Sequence, residues 1–372
     1  MARNIILWSV IVLILLQGSA TAYSNWSFYN RNDIGAKAIG MGGSFVGIAD
    51  DPTAVYWNPA GLVQINKLTV LAAAEISEGE VFYTWERKTT PNLLYETSHY
   101  FPSYIGFVIP TEKTVWCISE YIPYDLYAIV RDMEETTPEH PEGTGNKFDT
   151  MDYTRFYTTT VSMAYKMNPY VSVGINLNYF FKRDGIITDY KKGKDRSYIT
   201  ESGHGFGGDI GILCKPHENL GVGFVMKYNL LPIKGIIGGT KVEETLPLFI
   251  GAGISARVLP KILLNADINF TKWSGISFKW GEESANPEYV RDIFQQRIGL
   301  EYLMRDNLAL RIGLYNEPSP LTTGVRRDQI FLTGGMGLVY KHFELNLALA
   351  SSRLINPKDK KETNLIFSLT YR

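Results

Sequence analysis

Cysteine is nearly missing from this chain of 372 residues: Cys117 and Cys214 stand alone, with no C-x-x-C and no zinc-type spacing. A disulfide framework, structural zinc and dithiol redox chemistry are thereby excluded. Net charge is also missing, since 37 Lys+Arg face 38 Asp+Glu for a formal charge of -1, which leaves no basic footprint for nucleic acid. Past residue 22 no apolar run approaches the roughly 18 residues that mark a spanning helix. The chain has no H-E-x-x-H and no G-x-S-x-G, and His99, His140, His204, His217 and His342 are scattered without a nucleophile pattern. No enzyme is expected, although His99 and His140 fall in expected outer loops. Asp50 and Asp51 offer fewer oxygens than the six or more of a hard-cation site, so neither metal nor other cofactor is expected.

What the chain does have is Gly 34, Tyr 23, Phe 18 and Trp 7, an aromatic share of 13%. That pairing is typical of many short twisted strands joined by turns. Met1 to Asn4 carries Arg3, Ile5 to Leu16 is apolar, and Ala20-Thr21-Ala22 supplies an A-x-A site. These are the parts of a secretory leader cleaved after Ala22; the apolar run is well short of the roughly 20 residues of a membrane anchor. The first mature residue would be Tyr23, unlike a lipoprotein's Cys. With spanning helices unavailable, a mature chain that enters a membrane must do so as a closed barrel.

The mature chain has a period of two. Ile262, Leu264, Ala266, Ile268 and Phe270 alternate with Asn265, Asp267, Asn269 and Thr271. Val171, Val173, Ile175, Leu177, Tyr179 and Phe181 likewise oppose Ser172, Asn176 and Asn178. A soluble sandwich would alternate in the same way, but connection lengths separate the two architectures. Gaps at 111–113, 167–169, 216–218, 259–261, 305–306 and 341–342 are tight turns. Between them lie long polar stretches near 89–100, 124–150, 184–202, 231–245, 274–291, 317–328 and 354–362. Short turns at one end and long loops at the other are the habit of transmembrane barrels.

The segments 67–88, 101–110, 114–123, 151–166, 170–183, 203–215, 219–230, 246–258, 262–273, 292–304, 307–316, 329–340, 343–353 and 363–372 make fourteen strands, with the first bent near Gly79. An even number places both termini on the periplasmic side. The expected fold is therefore all-β: a 14-stranded antiparallel transmembrane β-barrel, residues 67–372, after a leader at 1–22. Residues 23–66 do not fit the strand pattern and read as an N-terminal hatch of short helices inside the lumen. Asp50-Asp51-Pro52 looks like a capped helix start, and Trp57-Asn58-Pro59 like a turn or second short helix, because Asn caps and Pro presets φ. Tyr23, Trp26, Phe28 and Tyr29 are candidate ligand-site aromatics, with packing against the wall as the plainer role. Asp267, Arg297, Glu301, Arg311 and Glu344 face inward, with mixed signs that suit holding a plug.

The run GAKAIGMGGSFVGIADDPTAVYWNPAGL, Gly35 to Leu62, resembles the hatch of the FadL/TodX (OmpP1) family of outer-membrane transporters for long-chain fatty acids and hydrocarbons. The likeness includes the Asn-Pro-Ala motif at Asn58, Pro59 and Ala60. Asn269-Phe-Thr-Lys-Trp-Ser274, Arg297-Ile-Gly-Leu-Glu-Tyr302, Asp306-Asn307, Arg311-Ile-Gly-Leu314 and Glu317-Pro-Ser-Pro320 are similar to the family's later strands and the loop that follows them. The resemblance covers the hatch and roughly the last third of the chain. It implies a hatch-plugged barrel of fourteen strands in the outer membrane of a Gram-negative-type bacterium. It also implies passive uptake: a hydrophobic small molecule lodges outside the plug, the hatch shifts, and the molecule leaves sideways through a gap in the wall into outer-membrane lipid. Asn58, Pro59 and Ala60 would set the contact between plug and wall near that gap. The chain departs from the pattern in being short and in ending on Tyr371-Arg372, where such barrels usually end on an aromatic. PorV-like shuttles of type IX secretion share the Gly-rich hatch and its Asn-Pro-Ala-Gly-Leu, so the alternative is a non-transporting interaction subunit with a protein partner. The Lys-Trp-Ser and Glu-Pro-Ser-Pro features favour the transporter.

Overall fold

Strand alternation turns into an inside and an outside once a sheet closes on itself. The computed structural model describes residues 34–83, 93–134, 144–190, 197–237, 240–285, 290–320, 322, 328–355 and 360–372. Its strands are β1 (Thr69–Tyr83), β2 (Leu93–Pro110), β3 (Thr114–Glu134), β4 (Lys147–Lys166), β5 (Val171–Tyr190), β6 (Ser197–His217), β7 (Leu220–Ile237), β8 (Thr240–Glu244), β9 (Leu248–Leu259), β10 (Ile262–Lys272), β11 (Phe278–Trp280), β12 (Glu283–Ala285), β13 (Ile293–Arg305), β14 (Leu308–Glu317), β15 (Gln329–Tyr340), β16 (Phe343–Ser351) and β17 (Lys360–Tyr371). All but β8, β11 and β12 form the wall, which makes fourteen antiparallel wall strands. β7 pairs with β9 and β10 with β13, and the ring closes where β1 meets β17, from Val70↔Tyr371 to Val81↔Lys360.

The faces are reversed relative to a soluble sandwich. Ile175, Leu177, Leu264 and Ile268 are exposed, whereas Ser172, Asn176, Asn178, Asn265, Asp267 and Asn269 are buried. A sandwich would bury the apolar set; an apolar outside with a polar inside is the pattern of a lipid-embedded barrel. The architecture is that of an outer-membrane β-barrel. Among the described residues no helix is long and apolar enough to cross a membrane.

The short connections are 111–113, 167–170, 218–219, 260–261, 306–307 and 341–342, close to the expected tight turns. The opposite end differs from expectation. β3 runs on to Glu134, β4 starts at Lys147, β5 reaches Tyr190, β6 starts at Ser197 and β7 reaches Ile237, through stretches the alternation assigned to loops. Beyond the lipid, both faces of a strand meet water, so polarity stops alternating while the backbone ladder continues. β2 likewise starts at Leu93, and the stretch near 274–291 contains a 3₁₀ turn at Trp273–Gly275 with β11 and β12. Gly79 is no bend, since it stays paired with both Glu362 and Thr97; the irregularity in β1 lies between Ala73 and Ala74. Tyr23, Trp26, Phe28, Tyr29, His140 and the expected leader lie outside the described residues. Cys117 and Cys214 are both free thiols.

Candidate functional site

Residues 34–66 fill the lumen as two short α-helices, α1 (Ala36–Gly40) and α2 (Ala54–Trp57), followed by a 3₁₀ helix at Pro59–Gln64. Their shortness follows from the sequence: glycines at 40, 42, 43 and 47 and prolines at 52 and 59 interrupt every run. Gly42 and Gly43 both have positive φ, 67° and 66°, a conformation that glycine adopts without strain. Asp51 closes the turn ahead of α2, its Oδ1 accepting from the Thr53 N–H at 2.8 Å and from the Thr53 hydroxyl, while Thr53, the residue before the helix, makes no side-chain cap. Burial pushes the Asp51 carboxyl up. Burial acts the same way on Asp50, but Lys37 at 2.8 Å, with Lys215 and Arg311 further off, outweighs it and holds Asp50 below its ordinary value.

Asn58 is fully buried and in extended backbone conformation. Its Oδ1 accepts from the Ala60 N–H, capping the 3₁₀ helix, with Pro59 in the first turn where no N–H is needed. Its Nδ2 donates to the carbonyls of Val46 in the hatch and Ile212 in β6, both at 3.0 Å. One side chain thus joins two hatch segments and the wall. Ser172 on β5 donates to the Ala60 carbonyl at 3.2 Å.

The far side of the hatch is held by charge. The Asp267 Oδ2 on β10 accepts from the N–H groups of Phe45 and Val46 at 2.7 and 2.9 Å. Arg297 on β13 donates to the Gly42 carbonyl at 3.0 Å and lies across the rings of Trp57 and Tyr315. Arg311 pairs with Glu301 at 2.8 Å and donates to Asn346 at 2.7 Å, bracing the wall beside Gly40. Glu344 accepts from Asn346 and Arg372. All five inward charges expected from the sequence are therefore buried, two touching the hatch and three bracing the wall behind it. Wall glycines admit this contact: a Cβ at Gly174 would overlap Pro59, and one at Gly223 would overlap the Val46 carbonyl.

On the outer side of α2 lies a chamber of about 90 Å³. Tyr56 is its floor, packed edge-on against Tyr121 at 5.6 Å. Lys227 of β7 extends over the Tyr56 ring at 3.6 Å and lies 5.0 Å from the Phe249 ring. Asp209, its register partner on β6, accepts from Asn176 and Asn178 at 2.7 and 3.0 Å. Asn176 also donates to the Val55 carbonyl at 2.7 Å, joining chamber and hatch. Tyr124, Phe180 and Leu246 belong both to the chamber and to an apolar cluster with Phe156, Ile233, Trp273, Ile276 and Ile293. Sequence reading did not find Tyr56, Lys227 or Asp209. The available signal was an Asp and a Lys at inward positions of adjacent strands.

The wall ladder beside this chamber is interrupted between β2 and β3. Their ladder runs from Pro110↔Val115 to Tyr104↔Tyr121, then resumes only at Glu96↔Ile129 and Tyr95↔Val130. The register is the same on both sides of the break. Within it, each strand carries an irregularity on its other flank: Ser103 is skipped in the β1 ladder, and Ile122–Pro123 in the β4 ladder. Bulges bend strands, and here both strands carry one at the level where the ladder between them stops. Pro123 and Tyr124 line both the break and the chamber.

No protein-family profile matches this chain, and no curated protein matches it in sequence. Solved structures match in fold. The toluene transporter TbuX of Ralstonia pickettii aligns over 92% of this chain and 99% of its own, with a TM-score of 0.70 at 14% identity. The toluene transporter TodX of Pseudomonas putida aligns over 91% and 98%, with 0.67 at 13%. A FadL homologue of Pseudomonas aeruginosa aligns over 90% and 97%, with 0.66 at 15%. At these identities the shared property is the fold, that of FadL-type barrels with a hatch.

Proposed function

We propose that this protein is a passive outer-membrane transporter of hydrophobic compounds, such as long-chain fatty acids or aromatic hydrocarbons. A solute enters the chamber above Tyr56 and leaves through the break between β2 and β3 into the membrane. The observation that carries the reading is the continuity of chamber and break through Pro123 and Tyr124. An apolar solute gains free energy by leaving water, so a route past the polar saccharide layer needs no energy coupling. At about 90 Å³ the chamber is smaller than the ~150 Å³ cavity that accepts benzene, so passage requires the floor to yield. Asn58, Pro59 and Ala60 act here as the gating motif, since Asn58 joins the floor's helix to the wall. The toluene transporters of the same fold agree with this solute class.

The test cross-links the break at the rung beside the intact ladder. In a background with Cys117→Ala and Cys214→Ala, Ser103→Cys with Ile122→Cys places two thiols at facing register positions. Cells relying on this protein take up labelled toluene or oleate when the pair is reduced and stop when it is oxidised. Undiminished uptake in the oxidised form overturns the lateral route, and no uptake of either solute by well-assembled wild type overturns transport.

A further inference from the structure

The outer surface of the wall changes chemistry at one height. Outward residues of β5 are Val171, Val173, Ile175, Leu177, Tyr179 and Phe181, and the next is Arg183. Ten residues rising about 3.3 Å each at a tilt of about 40° span roughly 25 Å, the height of the apolar band on such barrels. Arg183 is thus the first outward residue beyond its rim. Below it, Tyr157, Phe181, His204 and Lys234 form one rung across β4 to β7. Their rings stack, Tyr157 on Phe181 at 5.9 Å and Phe181 on His204 at 5.1 Å. The Tyr179 hydroxyl and His204 Nδ1 share a hydrogen bond at 2.6 Å.

One rung further out, Arg155 and Arg183 are directly opposed. Arg155 has Asp125 as its register partner on its other side, so Arg183 is the cation of this rung that faces solvent. Arg183 is exposed and makes no hydrogen bond or ion pair among the described residues. Asp125 occupies the next register position on β3, and Lys234 meets Glu243 at 3.0 Å, so the patch keeps a positive excess.

We propose that this patch binds the phosphate of an acylated, phosphorylated glycolipid of the outer leaflet. Arg183 takes the phosphate, with Arg155 adding positive charge across the ladder, because planar guanidinium matches phosphate oxygens in bidentate fashion. The aromatic rung beneath receives the start of the acyl chains, as aromatic side chains do at a membrane interface. An amphiphile satisfies both levels at once, which a free ion cannot. The inference rests on the barrel's place in the membrane and is independent of transport.

The experiment measures lipid retention by native mass spectrometry on the full folded chain in non-ionic detergent. The probes are diphosphoryl lipid A, dephosphorylated lipid A, phosphatidylglycerol and inorganic phosphate. Wild type is expected to retain diphosphoryl lipid A about tenfold better than the dephosphorylated form, given the strength of charge-assisted pairs. Arg183→Ser is expected to lose most of that preference, and Arg155→Ser with Arg183→Ser all of it. Lys113→Ser, in a turn at the opposite end, keeps it. Variants are compared only where heat-modifiable migration shows an intact barrel. Equal retention of the two lipid A forms overturns the proposal, as does full retention by folded Arg183→Ser. Equal binding of phosphatidylglycerol, or of inorganic phosphate alone, overturns the glycolipid assignment.

Discussion

The carboxylate of Asp267, on the barrel wall, accepts the backbone N–H of Phe45 in the hatch at 2.7 Å, and the same oxygen accepts that of Val46. Hydrogen bonds within a protein contribute roughly 0.5–1.5 kcal/mol each. Asp267→Ala is therefore expected to weaken hatch attachment by about 2 kcal/mol, and Asp267→Asn, which keeps an acceptor, by less. Hydrogen exchange over residues 41–48 reads this directly. Protection equal to wild type in both variants contradicts the attachment.

Asn58→Ala removes the donor to Val46 and Ile212 and the acceptor for Ala60 within a fully buried site. Groups left without partners in such a place cost about 1–3 kcal/mol each. The barrel is expected to assemble normally, the hatch to become protease-sensitive, uptake of oleate to fall and leakage of small hydrophilic dyes to rise. Unchanged leakage together with unchanged uptake would mean that Asn58 is not the tie.

Gly223 and Gly334 make a matched pair. A Cβ at Gly223 overlaps the Val46 carbonyl, whereas the nearest atom to one at Gly334 is the Arg311 carbonyl oxygen at 4.0 Å. Gly223→Ala should displace the hatch and raise dye leakage while the strand stays paired, and Gly334→Ala should do neither. Equal leakage in the two variants would show that the wall has room to move.

Acid should separate Asp50 from Asp51. Asp50 is held below its ordinary value of 3.8 by Lys37, so its contribution to hatch stability is present above that pH and lost as pH falls below it. Asp51 is raised above 3.8, so its charge weakens the hatch at neutral pH, and that cost fades as pH falls toward 3.8. Asp50→Asn should thus loosen the hatch at pH 7 and make no difference in strong acid. Asp51→Asn, which still caps Thr53, should tighten it at pH 7 and lose its advantage below 3.8. Hydrogen exchange at the two pH values checks the signs.

Much of the wall was legible because a barrel strand announces itself locally. Ile262 to Phe270 alternates within one strand and needs no partner to be read. The inward charges were legible for the same reason, and Asn58-Pro59 because a cap is a contact between neighbours in sequence. What was hidden depends on register. The contact of Gly223 with Val46, the meeting of Asp209 with Lys227 and the break at Ser103 and Ile122–Pro123 all arise from residues distant in sequence. Pro102 and Pro123 were the local hints, since proline gives a ladder no N–H. The outer extensions of β3 to β7 were missed because water on both faces erases the alternation that marks a strand.

The hatch touches opposite arcs of the ring. α1 packs on β14 to β17, and the 3₁₀ helix on β3 to β6. It therefore acts as a strut across the barrel's diameter. A cylinder with seven missing rungs in one seam would tend to ovalise under lateral pressure from the lipids, and a cross-member anchored on both arcs resists that distortion. The same element that fills the lumen thus helps keep the tube round, so the β2–β3 seam can lack those rungs without unzipping further.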